Sequence, residues 1–547
     1  MLPQKLRLGL AIFLIAILSS YHLPALKAEP IAAPCTAILD SPSSGDSTIQ
    51  KLGNKIDKAA LINRLSASEL TNLLRNMPTF NLDICGKAFY AESMIIPQMS
   101  PLPVPNYFLP ALSVNKTPLR SSGLYVDYKS VFKLHSSPGS SKTIYLDFDG
   151  EKIENTSWNR NFNNGATWYA AGFSQDSDFQ NFSESELEVI QSVWLRVAED
   201  FAAFDVDVTT ELPAPGVLER SSSTDDRFGT RALISNDTII FNKCKCSGLA
   251  YVGVFDSIGT IHDINQPAWI FTQGVGDNPK FIAEAVTHEV GHTLGLSHDG
   301  SKSTSYYGGA NGWAPIMGVG FYQPITQWSK GDYPDADNQE DDLAIMKLHG
   351  LTIRQDEDDN NAKSARKIVE NQPLGGVITT ITDVDFFAFT PTSAGDFTFT
   401  ANTASISPNL DISLTLYPLN KPSEKLIINP PLSSSTTDST EGLSATVTKK
   451  LNAGITYILE LDGNAVMDKE NISFTNYGNL GTYKVVITKG KTTAKPTISS
   501  GASKSEVESL PDKLVLPLKS PNGDAPLELP RDTLNSPRFG SPYLITA

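Results

Sequence analysis

The segment HEVGHTLGLSHD constrains the fold most, because it places three of the chain's seven histidines within eleven residues. His288 and His292 lie four residues apart, so both imidazoles project from one side of a helix. The seven preceding residues carry apolar side chains at helical spacing. Gly295 stands where this helix must end, because glycine accepts the left-handed backbone of a sharp exit. The turn can return His298 to the other two rings, which predicts three nitrogens around one ion.

Three histidine nitrogens suit Zn²⁺ and leave the fourth tetrahedral position open for water, as in a catalytic rather than a structural site. Glu289 follows the first histidine, and its carboxylate can reach that water and act as general base. The same group can then protonate the leaving amine. The spacing of Gly295 and His298 makes the motif far more specific than HExxH alone. The predicted reaction is amide hydrolysis by a zinc-activated water.

The pattern HExxHxxGxxH, followed downstream by Met317 in WAPIMG, resembles the signature of the metzincin zinc metalloproteases. The resemblance implies that Met317 forms an apolar turn beneath the metal without binding it. Asp299, directly after the third histidine, is similar to the acid of the reprolysin or adamalysin branch, where it is a buried hydrogen-bond acceptor. Branches with a tyrosine ligand place it where this chain has Val319, so no tyrosine ligand is expected.

The larger arrangement resembles secreted bacterial reprolysin-like proteases that carry a bacterial pre-peptidase C-terminal (PPC) domain. The resemblance spans roughly residues 140 to 490. Its catalytic part is carried by YLDFDG, RVAEDFAAFDVDVTTE and the stretch from WAPIMG to TQWSKGDY. Its second part is carried by DVDFFAF, PNLDISLTLYP and GTYKVVI. It implies a secreted pro-enzyme that cleaves proteins or peptides.

The predicted fold is multidomain, with an α/β (α+β) metzincin catalytic domain, containing a mixed sheet and the active-site helix, followed by an antiparallel β-sandwich. Alternating residues in TIYLDFDG predict a strand. Ser183 and Glu186 form a capping box that begins an amphipathic helix. Short strand-like segments after Asp356 predict the sandwich. Further strands are predicted at Phe204–Glu211, Ala232–Ser235, Thr238–Asn242, Leu249–Phe255 and Ala268–Gln273.

The chain is expected to divide into five parts. These are a signal peptide (1–28), a pro-segment or spacer without a core of its own (29–138), the catalytic domain (139–352), the PPC-like sandwich (353–490) and a low-complexity, disordered tail (491–547).

Lys5 and Arg7, a short apolar run and an exit at Ala28 predict the signal peptide, with an uncleaved anchor as the alternative. The protein is therefore expected to be secreted, without stable membrane association after cleavage. A formal charge of −16 opposes nucleic-acid binding.

Four cysteines, Cys35, Cys85, Cys244 and Cys246, allow three pairings. Cys85 could bind the zinc as a thiolate and silence a pro-enzyme, or it could form a disulfide with Cys35. A bridge from Cys244 to Cys246 would close a very small ring.

Two acidic runs make calcium a second candidate metal. One comprises Asp332, Asp335, Asp337, Glu340, Asp341 and Asp342, and the other is Asp356–Asp359. Their alternative is an ordinary solvated loop or helix N-terminus. Ala268–Gln273 could be an edge strand that pairs with an extended substrate, or an interior strand.

These features predict a secreted zinc metalloendopeptidase with His288, His292 and His298 as ligands and Glu289 as base. The alternative function is a catalytically silent secreted metal-binding or adhesion protein, in which the sandwich acts and the protease fold is a relic. The intact Glu289 favours the enzyme, because a binding protein needs no base beside its metal.

Overall fold

The computed structural model describes residues 35–93, 129–310, 312–357, 360–428, 442–463 and 475–490. The predicted signal peptide and tail lie outside these residues, and so do residues 358 and 359 of the second acidic run. The chain divides into two compact units, residues 1–37 and residues 38–547. Of the first unit, only residues 35–37 are described. Among the described helices, none has the length and apolar character needed to cross a bilayer.

The N-terminal segment, residues 38–93, folds into three α-helices and a hairpin, with a 3₁₀ turn at Gly53–Lys55 between the first two helices. These are α1 (Gly45–Leu52), α2 (Ile56–Ile62), α3 (Ala67–Asn76), β1 (Phe80–Leu82) and β2 (Ala88–Ser93). Ser66 and Glu69 form the capping box that begins α3. Leu52, Leu70 and Leu74 are buried in a hydrophobic cluster of this segment. The weak patterning predicted no core here, and the cluster corrects that prediction.

The central region, residues 129–353, contains the sheet and helices expected of a mixed α/β domain. Its elements are β3 (Lys142–Asp147), β4 (Gly150–Ile153), α4 (Ser157–Phe162), β5 (Trp168–Ala171), α5 (Glu184–Asp200), β6 (Asp207–Thr209), β7 (Phe228–Ser235), α6 (Phe241–Cys244), β8 (Cys246–Tyr251), α7 (Thr260–Asp263), β9 (Ala268–Phe271), α8 (Thr272–Val275), α9 (Pro279–Thr293), β10 (Trp313–Pro315), β11 (Ile325–Gln327) and α10 (Asp342–Leu348).

One seven-stranded sheet runs in the order β1-β2-β8-β9-β7-β3-β6. The pairs from β1 to β9 are antiparallel and those from β9 to β6 are parallel. The sheet is mixed, as predicted, and it includes two strands from before residue 138. Because β9 lies between β8 and β7, the interior alternative for Ala268–Gln273 is confirmed and the edge alternative is wrong.

The strand predicted at Thr238–Asn242 is absent from the structure. Asp237 Oδ1 accepts a hydrogen bond from the Ile240 backbone at 2.9 Å, and the Asn242 N–H donates to the Thr238 carbonyl at 3.1 Å. These local bonds form a turn that leads into α6, because an aspartate side chain competes with strand pairing for nearby backbone groups.

The two long helices pack together beside this sheet. Helix α5 begins at the predicted Ser183–Glu186 capping box. Apolar residues of α5 and α9, including Val193, Val197 and Val286, are buried in one cluster. Thr287 on α9 also donates to an Asp200 oxygen of α5 at 2.7 Å. These contacts fix the helix that carries the HExxH motif.

The C-terminal region is β-rich and forms two facing sheets. Its strands are β12 (Arg366–Lys367), β13 (Leu374–Ile378), β14 (Val384–Phe389), β15 (Gly395–Thr403), β16 (Ile412–Pro418), β17 (Leu426–Ile428), β18 (Ala445–Leu451), β19 (Tyr457–Gly463) and β20 (Gly481–Lys489). The sheet orders are β12-β14-β19-β16-β17 and β13-β20-β15-β18. Phe389 of one sheet lies 5.2 Å from Phe397 of the other, measured between ring centroids. All pairs are antiparallel except the short β12–β14 pair, so the antiparallel prediction holds for all but that edge.

A buried polar interface joins the sandwich to α5. Glu199 accepts hydrogen bonds from the Thr482 backbone at 2.9 Å and from its hydroxyl at 2.6 Å. Asn409 donates to Asp200 at 2.8 Å. Burial raises the pKa of Glu199 to about 8, against the opposing effect of the Thr482 hydrogen bonds.

Glu199→Gln should reduce the loss of stability at alkaline pH. Because the folded-state pKa of Glu199 is raised, its stabilising contribution is complete below its ordinary value of 4.5 and is lost as pH rises through about 8. This contribution is on the order of a few kcal/mol. Calorimetric melting between about pH 5 and about pH 9 should show a shallower fall in Tm for E199Q than for the wild type. The control is Glu184→Gln, at an exposed position of the same helix. An unchanged slope in E199Q would contradict the assignment.

Candidate metal centre

Helix α9 and the turn after it bring the three histidines together. Asn278 caps the helix by accepting a hydrogen bond from the Lys280 backbone. Gly295 follows the helix with φ +94°, and a Cβ there would lie 2.6 Å from His349 Nε2. Both the backbone conformation and the close contact require glycine, as the sequence predicted. The turn places His298 beside His292, with 4.8 Å between ring centroids.

The imidazoles direct their Nε2 atoms towards one another. His292 and His298 have Nε2 atoms 3.1 Å apart. Their orientation is fixed from the other side of the rings: His288 Nδ1 donates to the Ile316 carbonyl at 3.0 Å, and His292 Nδ1 donates to the Leu296 carbonyl at 2.8 Å. Hydrogen bonds of this kind place the proton on Nδ1 and leave the Nε2 lone pair for a metal.

The structure adds a fourth member to this cluster, Glu92 on β2, which lies 200 residues before His292. Its Oε1 is 2.9 Å from His298 Nε2, 3.3 Å from His292 Nε2 and 4.0 Å from His288 Nε2. The candidate ligand atoms of all four residues lie within 4.8 Å of one another. Sequence analysis missed Glu92, because the strand pairing that brings it here leaves no local motif.

These residues fit a metal ion. All four are buried, and His288 Nε2 has no hydrogen-bond partner among the described residues. Burial, followed by the charge of His292, lowers the pKa of His288 to about 3, and burial also lowers the pKa of His292. Both rings are therefore neutral at physiological pH, which is the form that binds metals. Three imidazole nitrogens and a carboxylate oxygen are ligand types that zinc accepts, so this cluster could hold a metal ion.

Glu289 is buried beside the cluster but is not a member of it. Its Oε2 has no hydrogen-bond partner among the described residues. Burial, and then the nearby charge of Glu92, raises the pKa of this carboxyl well above its usual range. The carboxylate approaches β8 so closely that a Cβ at Gly248 would collide with it. A free carboxyl oxygen at this position is suited to exchanging protons with a small molecule at the metal.

Met317 and Asp299 lie near the end of α9. Met317 is buried, and its sulfur lies against Gly291, where a Cβ would meet it at 2.5 Å. The Asp299 backbone donates to the Met317 carbonyl at 2.8 Å. The Asp299 carboxyl is also buried, and burial raises its pKa to about 8. Tyr333 donates a long hydrogen bond of 3.5 Å to it.

Two tyrosines cover the histidines. Tyr90, which shares β2 with Glu92, stacks on His292 with ring centroids 4.2 Å apart. Tyr306 lies 4.4 Å from the His298 ring, and its hydroxyl donates a short hydrogen bond to Glu92 Oε2. Neither tyrosine was predicted from the sequence, since neither lies in the histidine motif. A small pocket, partly open to solvent, lies beside this cluster, and its lining includes Glu92, Ser247, His288, Glu289, Tyr306 and Val319.

Cys85 is disulfide-bonded, as is Cys35, so its sulfur is not a thiolate available to the metal. The zinc-ligand alternative for Cys85 is therefore wrong in this structure. Cys244 is bonded to Cys246, despite the small ring. The carboxylate that reaches the cluster from the N-terminal segment belongs to Glu92 instead.

The first acidic run is used in local hydrogen bonds. Asp341 caps α10 by accepting from the Ala344 backbone at 2.9 Å. Glu340 accepts from the Ser297 backbone, also at 2.9 Å. In the second region, Asp356 comes close to Asp383 and Asp385 of the sandwich in a group whose oxygens lie within 4.8 Å of one another. Calcium binding by the two acidic runs stays a prediction.

No family model and no curated protein matches this chain. Seventeen solved chains do, and three of them illustrate the level of likeness. The pre-peptidase C-terminal domain of a Bacillus anthracis collagenase is 15% identical, with a TM-score of 0.16, over 24% of this chain and 97% of that one. The periplasmic inhibitor of g-type lysozyme from Salmonella Typhimurium is 19% identical, with a TM-score of 0.14, over 22% of this chain and 94% of that one. Its Aeromonas hydrophila counterpart is 10% identical, with a TM-score of 0.13, over 21% of this chain and 83% of that one. One of these weak neighbours is thus a PPC domain, but likenesses at this level carry no argument about this chain.

His292→Ala should reduce zinc affinity by at least about 100-fold, because it removes a ligand that a backbone carbonyl orients. Isothermal titration with ZnCl₂ and elemental analysis of the dialysed protein measure this change. His135→Asn is the matched control, since His135 pairs with Asp207 far from the cluster in sequence and is absent from it. Equal zinc content in H292A and the wild type would refute this centre.

Proposed function

We propose that this protein is a secreted zinc-dependent metalloendopeptidase of the metzincin type, reprolysin-like, with a PPC-like sandwich. The observation that carries the proposal is the convergence of His288, His292 and His298 in a buried cluster with the Glu289 carboxyl beside it. Zinc bound by these rings would polarise a water and a peptide carbonyl for hydrolysis.

Glu289 would supply the proton chemistry. Its buried Oε2 has no partner among the described residues, so it is free to accept a proton from the attacking water. Once protonated, the carboxyl would pass the proton to the departing amine. Gly248 keeps space for this side chain at β8.

Strand β8 provides a place for a peptide substrate. It pairs with β9 along one side and with β2 of the N-terminal segment along the other. An extended peptide in the place of β2 would add to that side by backbone hydrogen bonds. The pocket lined by His288, Glu289 and Val319 could receive one of its side chains.

A catalytically silent metal-binding protein is the second candidate. Glu92 favours it, because four protein ligands without an open position are typical of a structural zinc site. Proteolysis and zinc content together separate the two candidates.

Glu289→Gln should lower casein hydrolysis by about 10²–10⁴-fold while zinc content stays unchanged, because the base is lost and the histidines are not. The mass of the intact protein should be monitored during the assay. The assay should continue until any proteolytic shortening of the chain is complete. Glu184→Gln, at an exposed position of α5, is the matched control. Zinc binding without hydrolysis in either the wild type or E289Q would favour the silent protein.

A further inference from the structure

Strand β2 occupies the outer side of β8, where a substrate would be expected to pair. The two strands are antiparallel, with Phe89 opposite Tyr251 and Ala91 opposite Leu249. Strand β2 is in turn paired with β1, and both belong to the N-terminal segment. The segment therefore contributes a peptide strand of its own to the place that the proposed function assigns to the substrate.

Side chains of the same strand enter the metal centre. Tyr90 and Glu92 are two residues apart on β2, where the register with β8 shifts between Ala91 and Ser93, and both side chains reach the histidines. Tyr90 stacks on His292, and Glu92 Oε1 lies 2.9 Å from His298 Nε2. These two residues lie against the ring faces and in front of the Nε2 atoms that a metal and its water would need.

The Glu92 carboxylate is held at both oxygens. Its Oε1 contacts His292 and His298, and its Oε2 accepts the Tyr306 hydroxyl. The side chain is buried, with 5% of the residue exposed. A buried carboxylate held in this way beside three imidazoles is placed to bind the same ion as they do.

The N-terminal segment is also a folded body that can present this strand firmly. Its three helices and hairpin share the hydrophobic cluster that contains Leu70 and Phe80. Tyr90 belongs to this cluster as well as to the metal centre. The hydrophobic cluster thus fixes the position of β2, and Glu92 on the same strand contacts the histidines.

We propose that residues 38–93 are a built-in inhibitor, in which β2 fills the substrate position on β8 and Glu92 takes the fourth coordination position of the metal. This inference rests on the proposed function. Activation requires hydrolysis of a peptide bond after Ser93, followed by departure of the segment, which returns the fourth position to water. The latch is a glutamate carboxylate, and the disulfide-bonded Cys85 has no part in it.

The first test is coordination in the full-length chain loaded with Co²⁺ in place of zinc. Glu92→Gln should change the visible cobalt spectrum, because a charged oxygen ligand is replaced by a neutral amide. Asp57→Asn is the matched control, since it removes an exposed carboxylate of the same segment. A spectrum of E92Q identical to that of the wild type and of D57N would overturn the ligand role.

The second test compares casein hydrolysis by the intact chain with hydrolysis by shortened chains. All samples are prepared from the zinc-loaded full-length protein. Intact E92Q should hydrolyse casein about as slowly as the intact wild type, because β2 still occupies the side of β8. Brief nicking of the folded wild type with trypsin should raise the rate at least about tenfold, and only in species whose N-terminus, found by sequencing, lies beyond Ser93. D57N should behave as the wild type throughout.

The outcomes separate the two proposals. If the intact wild type, confirmed by mass, hydrolyses casein as fast as the nicked protein, the inhibitor is refuted and the peptidase stands. If zinc-loaded species beyond Ser93 remain inactive, the peptidase assignment fails and the inhibitor fails with it.

Discussion

The central constraint in this molecule is the close approach of three imidazole rings in a buried place. Two Nε2 atoms lie 3.1 Å apart, and the carbonyls of Ile316 and Leu296 hold the protons on the opposite nitrogens of His288 and His292. Lone pairs that face one another away from water need a cation or a proton between them. Helix α9, its glycine exit and Met317, which packs against Gly291, keep this arrangement.

The parts of the site that depend on local spacing could be read from the sequence. His288 and His292 are one helical turn apart, and a glycine turn directly after the helix returns His298 to them, so short-range signals relate all three. Glu92 and Tyr306 could not be found this way. Glu92 reaches the cluster through a strand pairing between distant segments, and no periodicity specifies which strand will pair with β8.

In the fold, too, the features with local sequence signals were predictable, and those that depend on pairing between distant segments were not. The capping box at Ser183 and the alternating strands of the sandwich were predictable, because their signals are local. The strand predicted at Thr238–Asn242 failed because Asp237 forms a turn with the backbone ahead of it. The sheet also crosses the expected boundary near residue 138, since β1 and β2 extend it from the N-terminal side.

The junction between α5 and the sandwich has a consequence for how this protein can be divided. Asn409 of the sandwich donates to the Asp200 carboxylate at 2.8 Å, and Gln327 donates to the Asn409 carbonyl at 2.5 Å. Cutting the chain near residue 353 would leave such groups facing water without their partners, together with newly bared apolar surface. The sandwich is therefore part of the packing of the central region and not an independent domain. A gene fragment that omits the sandwich is expected to yield little folded protein with the candidate metal centre.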